Sequence, residues 1–285
     1  MTGRLRRRDL SAALVASGAV VLGATSCSGS EPVPTSTDIA RDPLAEFTGP
    51  SWNARSVEDL LALPITEADP DSAPWQDLEL GDADLAGARE VLTAYIGRAY
   101  LDPRALQEIG DLGAVEAHLL EVTPEFWQDG VTGMFAEATP YFTAVVLAAR
   151  FRTIGRPALA ASWYRGSREE SPTLALGVTL AWSVIDAETH DVGVIAYRLG
   201  VSALLDSSGS IDNALMKTTI HGMDLCEMGS DGWIIPTITG SPAHRTAQEM
   251  TFSRVLESPV IERDLIDDED AEIMDGPGAT NRNCS

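Results

Sequence analysis

Hydrophobic and polar positions change their period near Pro140, from helical spacing to alternation. From Leu85 to Ala99 the apolar residues Leu85, Ala88, Leu92, Tyr95, Ile96 and Ala99 recur at helical spacing, and Asp82 or Asp84 can cap them. Asp102-Pro103 then offers an N-cap followed by proline at the first helical position, with Gly110 as the stop. Residues 111–120 read as helical. Thr123-Pro124 repeats the device and opens a further helical stretch to about Ala138. Upstream, residues 28–80 are rich in Pro, Ser, Asp and Glu, with one short helical candidate at Val57 to Leu63.

After Pro140 the period shortens to two. Tyr141 to Arg152 and Ala158 to Gly166 predict a strand pair around Ile154-Gly155-Arg156-Pro157. Leu174, Leu176, Val178, Leu180, Trp182 and Val184 alternate with the small residues Thr173, Ala175, Gly177, Thr179, Ala181 and Ser183, which predicts a strand with one bulky and one flat face. Its hairpin partner runs from Val192 to Leu205. Met216 to Met228 and Trp233 to Pro236 are expected to close the sheet through a turn at Gly229-Ser230-Asp231-Gly232. Strands this long twist and curl, so the expected architecture is α+β, with N-terminal helices packed in a strongly curved antiparallel sheet. The expected organisation is a leader at 1–26, a tether and wrapping segment at 27–80, a cone-like domain at 81–240 and a mostly disordered acidic tail at 241–285.

Helices first and then a long antiparallel meander is an α+β order. Residues 83–237 resemble the nuclear transport factor 2-like superfamily. The likeness is carried by Val91-Leu92-Thr93-Ala94-Tyr95, Tyr100-Leu101-Asp102-Pro103, the 173–205 hairpin, Asp224-Leu225-Cys226 and Asp231-Gly232-Trp233. The resemblance implies a pocket between the sheet and its first long helix. That superfamily hosts isomerases, dehydratases and many non-catalytic modules, so the fold does not choose among them. Under the enzyme alternative, Asp224 or His221 is the general base and Tyr197 the proton donor. A regular strand points residues three apart to opposite faces, and a bulge at Gly222 is needed to bring His221 and Asp224 together. Trp182 and Tyr197 sit on the bulky face, where they either line the pocket or fill the core.

The N-terminus carries an address. Arg4, Arg6, Arg7 and Arg8 precede a small apolar run from Leu10 to Ala24, too short to span a bilayer as a helix. Ala24-Thr25-Ser26-Cys27 then resembles a bacterial lipobox, which implies a diacylglyceryl group on Cys27. Cleavage after Ser26 without lipid, giving a secreted chain, is the alternative. Arg7-Arg8-Asp9-Leu10 also resembles a twin-arginine export signal. Ser28 to Thr37 is mostly Ser, Gly, Pro and Thr, a composition that makes a solvated tether. Lys217 is the one lysine against nineteen arginines, a bias of GC-rich genomes that points to an actinobacterium-type source. With Cys27 lipidated, Cys226 and Cys284 remain as an even pair in an oxidising compartment, either bridged or free.

Composition and charge narrow the classes further. Hydrophobic residues make up 44% and charged residues 22%, as in a globular protein. The formal charge of −23 becomes −26 once four arginines and Asp9 leave with the leader, which argues against nucleic acid as a partner. So acidic a body is also repelled by anionic lipid, leaving the acyl chains to hold it at a membrane. No HExxH, CxxC, GxSxG or P-loop string occurs. The four histidines His118, His190, His221 and His244 have no zinc-ligand spacing, and His244 falls beyond the expected fold. The acidic run from Glu262 to Asp275 lacks calcium-loop spacing, so neither metal nor cofactor is expected. The flat, uncharged face at Thr173 to Ser183 invites a close layer, either a homodimer contact or cover from the 40–80 segment. The resulting expectation is a membrane-anchored exported lipoprotein that serves as a non-catalytic binding or envelope-assembly module, with a pocket enzyme of isomerase or dehydratase type as the alternative. Its protein or small-molecule partner is unspecified.

Overall fold

The chain divides after Asp38, and all of the described residues lie in the unit Ile39–Ser285. The computed structural model describes residues 42–45, 51–228, 231–238, 242–263 and 266. Six helices come first: α1 (Val57–Ala62), α2 (Ala73–Leu78), α3 (Ala86–Ile96), α4 (Pro103–Ile109), α5 (Leu112–Leu120) and α6 (Glu125–Ala136). Strand β1 (Ile65–Glu67) is inserted between the first two, and β2 (Phe151–Arg168), β3 (Ser171–Asp186), β4 (Val192–Leu205) and β5 (Ile211–His221) follow as an antiparallel meander. Helices α7 (Leu225–Met228) and α8 (Pro242–Thr251) come after the sheet, and a π-helical turn (Phe252–Leu256) extends α8.

Local chemistry accounts for several helix ends, although α3 starts from Leu85 without the side-chain cap expected of Asp82 or Asp84. The Asp102 carboxylate accepts from the Ala105 amide at 3.2 Å with Pro103 at the first helical position, and α4 stops at Gly110 in the left-handed region. Asp111 caps α5 in the same way through the Ala114 amide at 2.9 Å. Thr123-Pro124 departs from the expected device. Pro124 occupies the cap position without a side-chain bond, because the Thr123 hydroxyl donates backwards to the Leu119 carbonyl at 2.8 Å.

The sheet is open, in the order β1-β2-β3-β4-β5, and it is not strongly curled as its strand lengths suggest. Two layers bury the long strands instead of one enclosed helix. On the bulky face Leu174, Leu176, Val178, Leu180, Ile195, Leu199 and Val201 join the core formed with α3 to α6. On the flat face Ala158, Ala160, Ala181 and Ala196 lie under Leu44, Trp52, Val255 and Leu256. Further along, Tyr164 and Ala175 lie under Ile261 and Ile266. Gly177 lets this layer approach closely, since a Cβ on it would stand 3.0 Å from the Ile261 side chain. The flat face is thus covered by this chain's own residues, in part from the 40–80 segment. The rest of the cover comes from residues 252–266, beyond the boundary that composition drew at 240.

Two strand expectations are corrected. Residues 151–168 form one strand, not two, because both halves pair with β3, and residues 155–157 bulge out between the pairs Ile154↔Ser183 and Ala158↔Ala181. Gly155 therefore serves a bulge and not a hairpin turn. Residues 225–236 do not close the sheet. Leu225–Met228 is helical, and Ile234 and Pro236 make only isolated bridges to Leu147 and Met223.

The segment before β2 is irregular yet buried, from Thr143 to Leu147. Buried carbonyls outside a ladder need donors, and three tyrosines supply them in sequence. Tyr100 donates to Phe142 O at 2.8 Å, Tyr95 to Thr143 O at 2.9 Å and Tyr197 to Ala144 O at 3.4 Å. The Val145 amide bonds Ala99 O at 2.8 Å, and Val146 O accepts from Ile234 at 2.7 Å.

Candidate functional site

Strand β5 ends where Gly222 takes a φ of +73°, and a Cβ there would stand 2.1 Å from the Val194 carbonyl oxygen. Beyond Gly222 the chain leaves β4, so the outward amide and carbonyl of Val194 lose a strand partner. The Gln248 side chain from α8 replaces it. Val194 N–H donates to Gln248 Oε1 at 2.8 Å, and Gln248 Nε2 donates to Val194 O at 2.9 Å and to Thr237 Oγ1 at 3.0 Å. A side-chain amide has the same donor–acceptor pair as a peptide unit, so it mimics one rung of the ladder.

Asp224 follows two residues later. Its Oδ1 accepts from the Glu227 amide at 3.1 Å, capping α7, and its Oδ2 lies 2.7 Å from His244 Nε2. An ionised carboxylate only accepts, so Nε2 is the donor in that state. Both side chains are largely buried, at 12% and 14% exposure for Asp224 and His244. The pair ties α8 to the loop after β5. Asp224 thus meets His244, which sequence order placed beyond the fold. The signal that could have found the pair is the amphipathic pattern of α8, which places His244 on a packed helix.

Beside this pair a groove of about 510 Å³ runs between α8 and the start of β4. Val192, Val194, Ile238 and Phe252 supply its apolar lining, and Arg245, Glu249 and Glu257 charge its rim. Such an arrangement can hold an apolar group and orient a polar one.

The remaining sequence candidates lie elsewhere. His221 pairs with Ala196 on the flat face, whereas Tyr197 faces the helices, so β4 separates them. Tyr197 is fully buried against Tyr100, with ring centroids 5.2 Å apart, and burial pushes its hydroxyl pKa well above the ordinary value. Trp182 donates its indole N–H to Tyr100 O at 3.0 Å within the same core. Cys226 lies in α7, not on a closing strand, and Cys27 and Cys284 fall outside the described residues. Among the described residues no group of three or more His, Cys, Asp or Glu could hold a metal ion, and no helix is long and apolar enough to cross a membrane.

The sharpest electrostatic feature is structural. Asp186 at the β3–β4 turn is fully buried and accepts from the Glu188 amide at 2.8 Å and the Thr189 amide at 3.3 Å. The guanidinium of Arg150 bonds the same carboxylate, which is the main reason its pKa is held far below the usual carboxylate range. In comparisons with known proteins, no family model matches this chain, nor does any curated protein or solved structure.

Proposed function

We propose that the chain is an exported lipoprotein, anchored through Cys27 to the outer face of the cell membrane, whose α+β body acts as a binding or envelope-assembly module. The address rests on the basic, apolar and small-residue succession ending at Cys27 and on the Ser- and Pro-rich tether after it. The observation that carries the module reading is the packing of the bulky sheet face. Trp182 and Tyr197, which would line a pocket of the nuclear transport factor 2-like kind, are locked against Tyr100 with their polar atoms on backbone carbonyls. In this proposal the body is a distant variant of that superfamily with the pocket filled, and the groove beside α8 takes over contact with a partner.

Metabolic labelling with an alkyne fatty acid tests the anchor. Wild type carries the label in the membrane fraction, and Cys27→Ser loses the label and leaves that fraction. Label retained by Cys27→Ser, or wild type found in the cytosol, overturns the address. A photo-crosslinker at Ser253, in the groove, tests the module. The reading expects one saturable adduct in the envelope that Phe252→Glu abolishes, and adducts indifferent to Phe252→Glu refute it.

A further inference from the structure

A second cleft, of about 500 Å³, opens between α4 and the free edge of β2. Strand β1 pairs with β2 only at residues 163–165, so among the described residues the edge at 151–154 has no strand beside it. Gln107 of α4 donates to Ala148 O at 3.1 Å and to Phe151 O at 2.6 Å, closing one end of that edge. In an antiparallel ladder backbone groups alternate in direction. Because Phe151 O points away from β3, the Thr153 amide and carbonyl point the same way, into the cleft. The Thr153 side chain lines the cleft as well, although the residue is only 9% exposed, and its hydroxyl has no hydrogen-bond partner among the described residues. Two exposed arginines, Arg104 of α4 and Arg152 of β2, line the same space, and neither makes an ion pair among the described residues. In a chain of net charge −23 with 43 acidic residues, two guanidinium groups without a carboxylate partner around one cleft mark a site for a negative group. Ile154 and Ile185 give it an apolar part.

We propose that the cleft at the free edge of β2 binds the C-terminal end of an extended peptide, with Arg104 and Arg152 on its terminal carboxylate and Thr153 pairing with its backbone. Strand addition supplies the main-chain bonds, and the arginines restrict the ligand to a free chain end. The apolar side chain of the last residue rests on Ile154 and Ile185. Glu108, one turn along α4 from Arg104, also lines the cleft, so it disfavours a second acidic residue near the end of the peptide. This surface is separate from the groove beside α8 and does not depend on the reading of that groove.

Fluorescence anisotropy with fluorescein-Gly-Ala-Leu-Val tests the proposal on the full chain. The free acid is expected to bind saturably, and its C-terminal amide roughly tenfold or more weakly. Arg104→Gln and Arg152→Gln are each expected to weaken the free acid by a similar factor, while Arg245→Gln, in the other groove, leaves it unchanged. Both arginines are exposed, and unchanged thermal midpoints verify that the variants fold. Equal binding of acid and amide, no effect of either arginine, or absence of binding at millimolar peptide overturns the proposal. Displacement by acetate at the same concentration as unlabelled peptide also overturns it, since the site then reads only a small carboxylate.

Discussion

Replacing the three core tyrosines one at a time by phenylalanine separates hydroxyl chemistry from ring packing. The rings meet edge to face, Tyr95 to Tyr100 at 6.4 Å and Tyr100 to Tyr197 at 5.2 Å between centroids, and phenylalanine preserves those contacts. Only the donor is lost, and with it the tyrosine partner of one carbonyl in the irregular segment before β2, where, among the described residues, Ala144 O alone keeps a second donor, the Val146 amide at 3.2 Å. A satisfied buried hydrogen bond contributes about 1 kcal/mol, and an orphaned buried group costs about 1–3 kcal/mol. Tyr100→Phe and Tyr95→Phe remove bonds of 2.8 and 2.9 Å, so each should cost about 1–2 kcal/mol. Tyr197→Phe removes a bond of 3.4 Å and should cost about 0.5 kcal/mol or less. Urea unfolding followed by tryptophan fluorescence reads the difference. With a slope of roughly 2–3 kcal/mol per molar for a body this size, the midpoint falls by about 0.5 M for the first two variants and hardly at all for the third. Equal losses at all three positions, or no loss at Tyr95 and Tyr100, would refute the assignment of the hydroxyls to those carbonyls.

Three further outcomes follow from named contacts. Gly222→Ala forces a side chain into the left-handed region and against the Val194 carbonyl oxygen, so it should cost several kcal/mol, about 2 or more, in chemical denaturation; a neutral result removes the reason given for the end of β5. The Asp186 pKa is depressed in the folded chain, so its contribution is fully present above the unfolded carboxylate value near 4 and is lost as pH falls toward the lower folded value. Asp186→Asn should therefore flatten the acid side of the stability–pH curve, and a curve parallel to wild type contradicts that role. Ending the chain at residue 238 strips Val255, Leu256, Ile261 and Ile266 from the flat face, at about 1.5–3 kcal/mol for each buried side chain, comparable to the whole stability of an ordinary domain. Wild-type thermal stability in that truncation would mean that the C-terminal segment is only a tail.

Short-range chemistry was the most legible part of this chain. The Asp102-Pro103 cap, the stop at Gly110, the apolar stripe of α3 and the bulky and small alternation of β3 all depend on neighbours within a few residues, and each appears where the pattern places it. Gly155 and Pro157 misled because a bulge and a turn use the same residues, and only the partner strand distinguishes them. The flat face signalled a covering layer, and Leu44 and Trp52 supply part of it. The C-terminal half of that cover was hidden by acidic composition. Val260-Ile261 and Leu265-Ile266 are short apolar pairs with too little sequence around them to show a period, and Ile261 and Ile266 are buried where Gly177 leaves room beneath them. The Asp224–His244 and Gln248–Val194 contacts link residues 20 and 54 positions apart, through segments whose relation is set by tertiary packing. The free edge of β2 was equally invisible, since it exists only because β1 is short and pairs elsewhere.

The N-terminus of the mature chain, recovered from bacterial membranes and measured by mass spectrometry, decides whether Cys27 is the anchor. A lipidated anchor gives a first peptide that begins at Cys27 and carries the added mass of a diacylglyceryl group. A first peptide that still contains Arg4 to Arg8, or an unmodified Cys27, would contradict it.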